Sequence, residues 1–106
     1  VKAKNPKAKV ELNIVDVYGN IADAITPENR ACVDHIFEAM RELGITPKDI
    51  AMRGGTDGSF ISTKGIPTPN YFTGAHNFHS YAEFMPMTAV EKSCQMTLKL
   101  IELITK

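Results

Sequence analysis

Residues 53–80 read RGGTDGSFISTKGIPTPNYFTGAHNFHS, and the rest of the chain is arranged around them. The stretch opens on Arg53-Gly54-Gly55-Thr56-Asp57-Gly58, a cation beside a glycine pair and a helix-start signal. It closes on His76-Asn77-Phe78-His79, with two histidines three positions apart. The glycine pair frees the backbone to take positive φ and to approach another group closely. Thr56 or Asp57 is placed to cap a short helix over roughly residues 57–64, with Phe60 and Ile61 turned inward and Gly65 at its end. An arginine, two glycines and a helix N-terminus can hold an anion, because unpaired N–H groups and a forked guanidinium both favour negative charge. A plain glycine turn with Arg53 paired to Asp57 is the competing reading. The spacing is not that of a GxxxxGK[ST] phosphate loop.

Pro67 and Pro69 forbid a helix between Ile66 and Phe72, so this run is expected to be extended. Gly74 breaks it, and His76 and His79 follow in a polar loop. Such loops past a strand end are where α/β folds collect functional groups. Zinc normally takes three or four protein ligands, so two histidines alone do not make a tight site. For each, a surface or capping role stands beside the ligand role.

Upstream, Val10, Leu12 and Ile14 alternate with Glu11 and Asn13, which predicts a half-buried strand over residues 9–18. Thr26-Pro27-Glu28 is a helix start, with a capping residue, a proline suited to the first turn and an acid at the positive end of the dipole. Val33, Ile36, Phe37, Met40 and Leu43 form its apolar stripe, and Gly44 ends it. His35 lies beside the stripe with no candidate ligand one turn away, and reads as a partly exposed helix residue. Residues 47–52 return as a short strand. Residues 9–52 therefore read as a strand–helix–strand unit, long enough for a right-handed crossover.

Downstream, Thr88-Ala89-Val90-Glu91 is a capping box that opens a final helix to about residue 104. Its main stripe is Val90, Cys94, Leu98 and Ile101, widened by Met96, Leu100 and Ile104. That is more apolar face than a chain of this size hides easily. The expected fold class is α/β: a strand–helix–strand unit, a short helix, an extended segment and a C-terminal helix packed on a small mixed sheet.

The totals bound the function. The chain has 106 residues, 43% of them hydrophobic and 23% charged, as in a soluble globular chain. Twelve basic and twelve acidic residues leave no net charge, which argues against nucleic acid or an anionic membrane as partner. No apolar run approaches the roughly 18 residues of a membrane span. The polar, Lys-rich start does not read as a signal peptide, and the expected location is the cytoplasm. Cys32 and Cys94 form no CxxC pair and read as buried free thiols.

RGGTDG, then GIPTPN, then the NFH of residues 77–79 and Glu83-Phe84 together resemble the C-terminal end of the peptidase T family. The resemblance is dense from Ile50 to about Glu91 and looser over the preceding helix. It implies a cytoplasmic tripeptide aminopeptidase with two zinc ions in a catalytic domain and a smaller lid domain inserted into it. It implies that residues 1–52 end the lid, which often carries the dimer contact, and that residues 53–106 return into the catalytic domain. His79, the histidine of the family's N-[FY]-H motif, is then a metal ligand, with His76 and Asn77 left undecided. Arg53, with Gly54, Gly55 and Thr56, falls in the substrate-binding region at the lid edge.

Two departures lie beside the expected ligand. The family commonly has a double glycine where this chain has Gly74-Ala75. It commonly has a glycine and a basic residue where this chain has Ser80-Tyr81. Both bear on subsite shape. The family's His-x-Asp motif, bridging aspartate, Glu-Glu pair and further metal-binding aspartate have no counterpart in these residues. The chain is thus expected to supply one metal ligand and part of a substrate clamp, with no catalytic base of its own. Its partners would be a short peptide, the rest of the peptidase chain and a second copy. The alternatives are another dipeptidase or acyl-amino-acid hydrolase of the same superfamily, or a metal-free α/β module that binds an anion at residues 53–57.

Overall fold

The computed structural model describes residues 3–52 and 54–106. Among the described residues four helices follow in order: α1 (Ile21–Ala24), α2 (Ala31–Glu42), α3 (Asp57–Thr63) and α4 (Met87–Thr105). Among the described residues the expected mixed sheet is not formed. Among the described residues the only ladder element is one isolated antiparallel bridge between His76 and Phe84. The reason lies in hydrogen bonding. A strand exists only as one member of a pair, and none of the described residues of 9–19 or 46–52 makes a backbone hydrogen bond to another described backbone group. Leu12 and Ile14, expected to be half-buried, are 77% and 80% exposed. The α/β expectation is therefore corrected to a helical chain with irregular connecting segments.

The core is where α2 lies against α4. Ile36, Ala39, Met40 and Met96 are buried there, with Leu43, Ile45, Tyr71, Phe72, Leu100 and Leu103 packed around them. Ala39 is small enough to let the two helices approach, and Met96, fully buried, fills the space beside it. Burying such a side chain contributes about 1.5–3 kcal/mol. Lys99 spans the same seam, 3.1 Å from Glu42 of α2 and 2.7 Å from Glu102 of α4.

This packing corrects the reading of α4. Val90, Cys94, Leu98 and Ile101, read as the main buried stripe, form the exposed outer face, whereas Met96 and Leu100, read as its margin, face α2. The helix is apolar on two sides, so its own periodicity does not choose between them. The small Ala39 on α2 does.

α2 starts later than the Thr26-Pro27 signal. The Asn29 side chain accepts from the Thr26 N–H at 2.8 Å and donates to the Ala24 carbonyl at 2.9 Å, closing a local turn in place of a first helical turn. A hydrogen bond from Thr26 and one from its own backbone hold the Glu28 carboxyl below its usual range. The predicted end of α2 is as formed. Gly44 takes φ +70, its N–H donates to Arg41 O, and Ile45 N–H donates to Met40 O at 2.8 Å, the paired bonds of a Schellman cap. Cys32 is half-buried and Cys94 exposed, and both thiols are free, so burial holds for neither fully.

The Cα radius of gyration is 19.1 Å, against about 13 Å for a compact chain of this length. Much apolar surface is accordingly left in solvent.

Candidate functional site

The sequence placed chemistry at the two ends of residues 53–80. Arg53, the expected anion clamp, lies outside the described residues. Gly54 and Gly55 are exposed and lead into α3. The Tyr18 phenol lies over Gly55, where any Cβ would overlap it. A side chain at this position would have to push the exposed Tyr18 ring aside. A recess of about 550 Å³ opens beside it, lined by Tyr18, Gly55, Thr56, Asp57, Phe60 and Ile61.

Thr56 occupies the N-cap position of α3 with extended φ −128 and ψ 166, yet its hydroxyl makes no capping bond. It accepts instead from Asn70 Nδ2 at 2.9 Å. The α3 helix buries Gly58, Ser59 and Ser62, not the expected Phe60 and Ile61, which stay exposed. The physical reason is proximity. Gly58 sits so close to the Thr68 carbonyl that a Cβ would lie 2.5 Å from that oxygen. Ser62 Oγ accepts from the Thr68 N–H at 3.0 Å. The small face of α3 is pressed onto the proline-stiffened run, and no large side chain fits between them. Gly65 ends the helix with φ +89, as its position implied.

The histidine cluster forms a closed loop. His76 and Phe84 exchange backbone hydrogen bonds of 2.9 and 3.2 Å, and their rings stack at 5.0 Å. Inside that clasp Asn77 Nδ2 donates to Ala82 O, and Ser80 Oγ donates to Asn77 O at 2.7 Å. The His79 N–H donates to Glu83 Oε2 at 3.1 Å. Asn77 and His79 both take left-handed backbone, φ 57 and φ 61, a region where Asn and His are among the few tolerated side chains.

The geometry separates the two histidines. His76 is engaged at the base of the loop through its backbone and its ring. His79 stands at the exposed tip, its backbone held by a carboxylate and its imidazole not used in packing. Among the described residues no three His, Cys, Asp or Glu side chains converge on a common point. A tight metal centre needs three or four ligands. The described residues therefore do not make such a centre by themselves. The sequence reading missed the Asn70–Thr56 bond, the Tyr18 contact and the role of Glu83. Only Glu83 had a signal, as an acid four residues past His79 in a loop.

No described helix is long and apolar enough to cross a membrane. Residues 7–103 match the model of peptidase family M20/M25/M40. The chain is 55% identical over 97 residues to a peptidase T-like protein of Yersinia pestis, covering 92% of this chain and 23% of that protein. It is 50% identical to a peptidase T-like protein of Rhizobium meliloti, covering 97% and 25%. It is 43% identical to peptidase T of Clostridium novyi over its whole length, which is 26% of that enzyme. The chain thus spans about a quarter of the length of these relatives. With the match running across the GTDG turn, the proline run and the histidine loop, the chain belongs to peptidase family M20/M25/M40.

Proposed function

We propose that this chain is the C-terminal quarter of a metal-dependent aminopeptidase of the peptidase T type, acting in the cytoplasm on tripeptides. Three relatives named peptidase T or peptidase T-like align with nearly the whole chain, and this single observation carries the reading. The closed loop supports it by presenting one histidine at an exposed, backbone-fixed tip. In this reading residues 1–52 belong to the lid and residues 53–106 to the catalytic domain. The family match does not favour the metal-free binding module.

His79 would ligate one of two zinc ions. When bound, the metal supplies polarisation of the scissile carbonyl and activation of a water. The glutamate that takes the water's proton belongs to the part of the protein outside this chain. Arg53 and Thr56 would hold the peptide, by its terminal carboxylate or a backbone carbonyl, with Gly54 and Gly55 letting the substrate approach the backbone. Asn77 shapes the loop and His76 closes it, and neither ligates.

The test is an assay of the complete protein on unmodified tripeptides. Release of the N-terminal residue, abolished by a chelator and restored by zinc, is the expected result. Hydrolysis confined to acylated amino acids would move the protein to another activity of the same family.

A further inference from the structure

Thr56 is in the place of a helix cap and does not cap. Its hydroxyl is instead tied to a residue fourteen positions away. We infer that Asn70 is a positioning residue for the substrate-binding loop, fixing Thr56 so that its hydroxyl hydrogen points outward as a donor to the peptide. The inference rests on the proposal that residues 53–56 bind substrate.

A threonine hydroxyl has one hydrogen to give and two lone pairs to receive. Asn70 Nδ2 fills a lone pair at 2.9 Å. The hydrogen is left to donate, and a carboxylate or carbonyl oxygen of a peptide is the acceptor that chemistry suits. Asn70 is exposed, so it adds nothing to the core. Its own position is fixed from behind by contacts that leave little play. Pro67 and Pro69 restrict the backbone just before it. Thr68 donates its N–H to the buried Ser62, and Gly58 closes on the Thr68 carbonyl. A Cβ on Gly58 would also lie 3.3 Å from Thr56 Oγ1 and 3.5 Å from Asn70 Oδ1, so this glycine makes room for the very pair that forms the bond. The proline run thereby carries a hydrogen-bonding arm to the loop that the sequence reading treated as separate from it.

The experiment is a double-mutant cycle in the complete protein, with Asn70→Ala, Thr56→Val and both together. Losing a hydrogen bond of this kind is expected to raise KM for a tripeptide about fivefold to tenfold, with kcat within about twofold of wild type. The double variant should be no worse than Thr56→Val, because Asn70 acts only through Thr56. Additive losses, or an unchanged KM in Asn70→Ala, would overturn the inference. Hydrogen exchange at the amides of residues 54–57 gives a readout independent of activity. Asn70→Ala should speed exchange there while leaving α2 and α4 protected. Unchanged exchange would overturn the inference even in a protein that proves to cleave no peptide, so its failure is distinct from failure of the peptidase reading.

Discussion

Residues 9–18, the more apolar segment, and residues 56–70, the more polar one, are held in opposite ways. The first segment is rich in β-branched residues and alternates as a strand should, yet its backbone bonds to no other described backbone group. The second is tied to itself by Asn70 to Thr56, Thr68 to Ser62 and the Gly58–Thr68 approach. The difference is contact range. A turn, a cap or a proline-stiffened run closes on neighbours within about fifteen residues, whereas a strand takes its order from a partner that can lie anywhere in the protein. Among the described residues of a chain that spans about a quarter of its relatives' length, locally closed structure forms and no paired strand does.

The largest expected effect lies in the locally closed region. In the complete protein, His79→Ala should lower activity on the order of a hundredfold or more if it is the metal ligand proposed above. His76→Ala should be mild, since that residue's backbone bridge to Phe84 survives the change. Equal losses in kcat would mean that both rings serve the metal.

Next in size are two substitutions that set the regions against each other. Gly58→Ala places a Cβ against a backbone carbonyl and should cost about 1–3 kcal/mol in unfolding experiments on either the 106-residue chain or the complete protein. Leu12→Asp should change the unfolding free energy of the isolated chain by under about 0.5 kcal/mol, since the side chain is in solvent. In the complete protein it should cost several times more, if residues 9–18 pair there as a strand. Equal small costs in both would break the comparison.

The exposed faces predict association. Leu12, Ile14, Val15 and Val17 on one segment, and Leu98, Ile101 and Ile104 on α4, are largely in solvent. Such surface is expected to drive the isolated chain to a dimer or higher oligomer at micromolar concentration. Sedimentation showing a monomer up to about a millimolar, where contacts of roughly −4 kcal/mol are half populated, is the contrary result.

The smallest effect is that of pH on the Glu102 ion pairs at the end of α4. Hydrogen bonds from Lys99 and then Lys106 pull the Glu102 carboxyl down to about 2. A depressed carboxyl stabilises the fold above its unfolded value of 4.5, and that contribution fades as pH falls from 4.5 towards 2. The pair is exposed, so the expected change is slight and removable by salt. Thermal unfolding between pH 6 and pH 3 should reveal it, and Glu102→Gln should abolish that part of the slope.

What the sequence made legible follows the same division. Gly44 and Gly65 as helix ends and the α2 stripe were readable, because each depends on residues close in the chain. The choice of buried face on α4 was not, because Met96 and Leu98 offer equal periodicity and Ala39 of α2 decides between them. Nor was the exposure of Phe60 and Ile61, which follows from the Thr68 carbonyl occupying the space beside Gly58. The strands at residues 9–18 and 47–52 failed for want of a partner, not for want of pattern. At the candidate site the motif residues carry a sequence signal, whereas the Asn70–Thr56 bond carries none.

The central claim is that the tip of the 76–84 loop holds a metal whose other ligands come from the remainder of the protein. The most direct test is anomalous scattering at the zinc edge from crystals of the complete protein. The expected result is a peak about 2.0–2.1 Å from a ring nitrogen of His79, with His76 stacked on Phe84 and out of reach. A metal peak remote from His79, or one ligated by His76 in its place, would contradict the account.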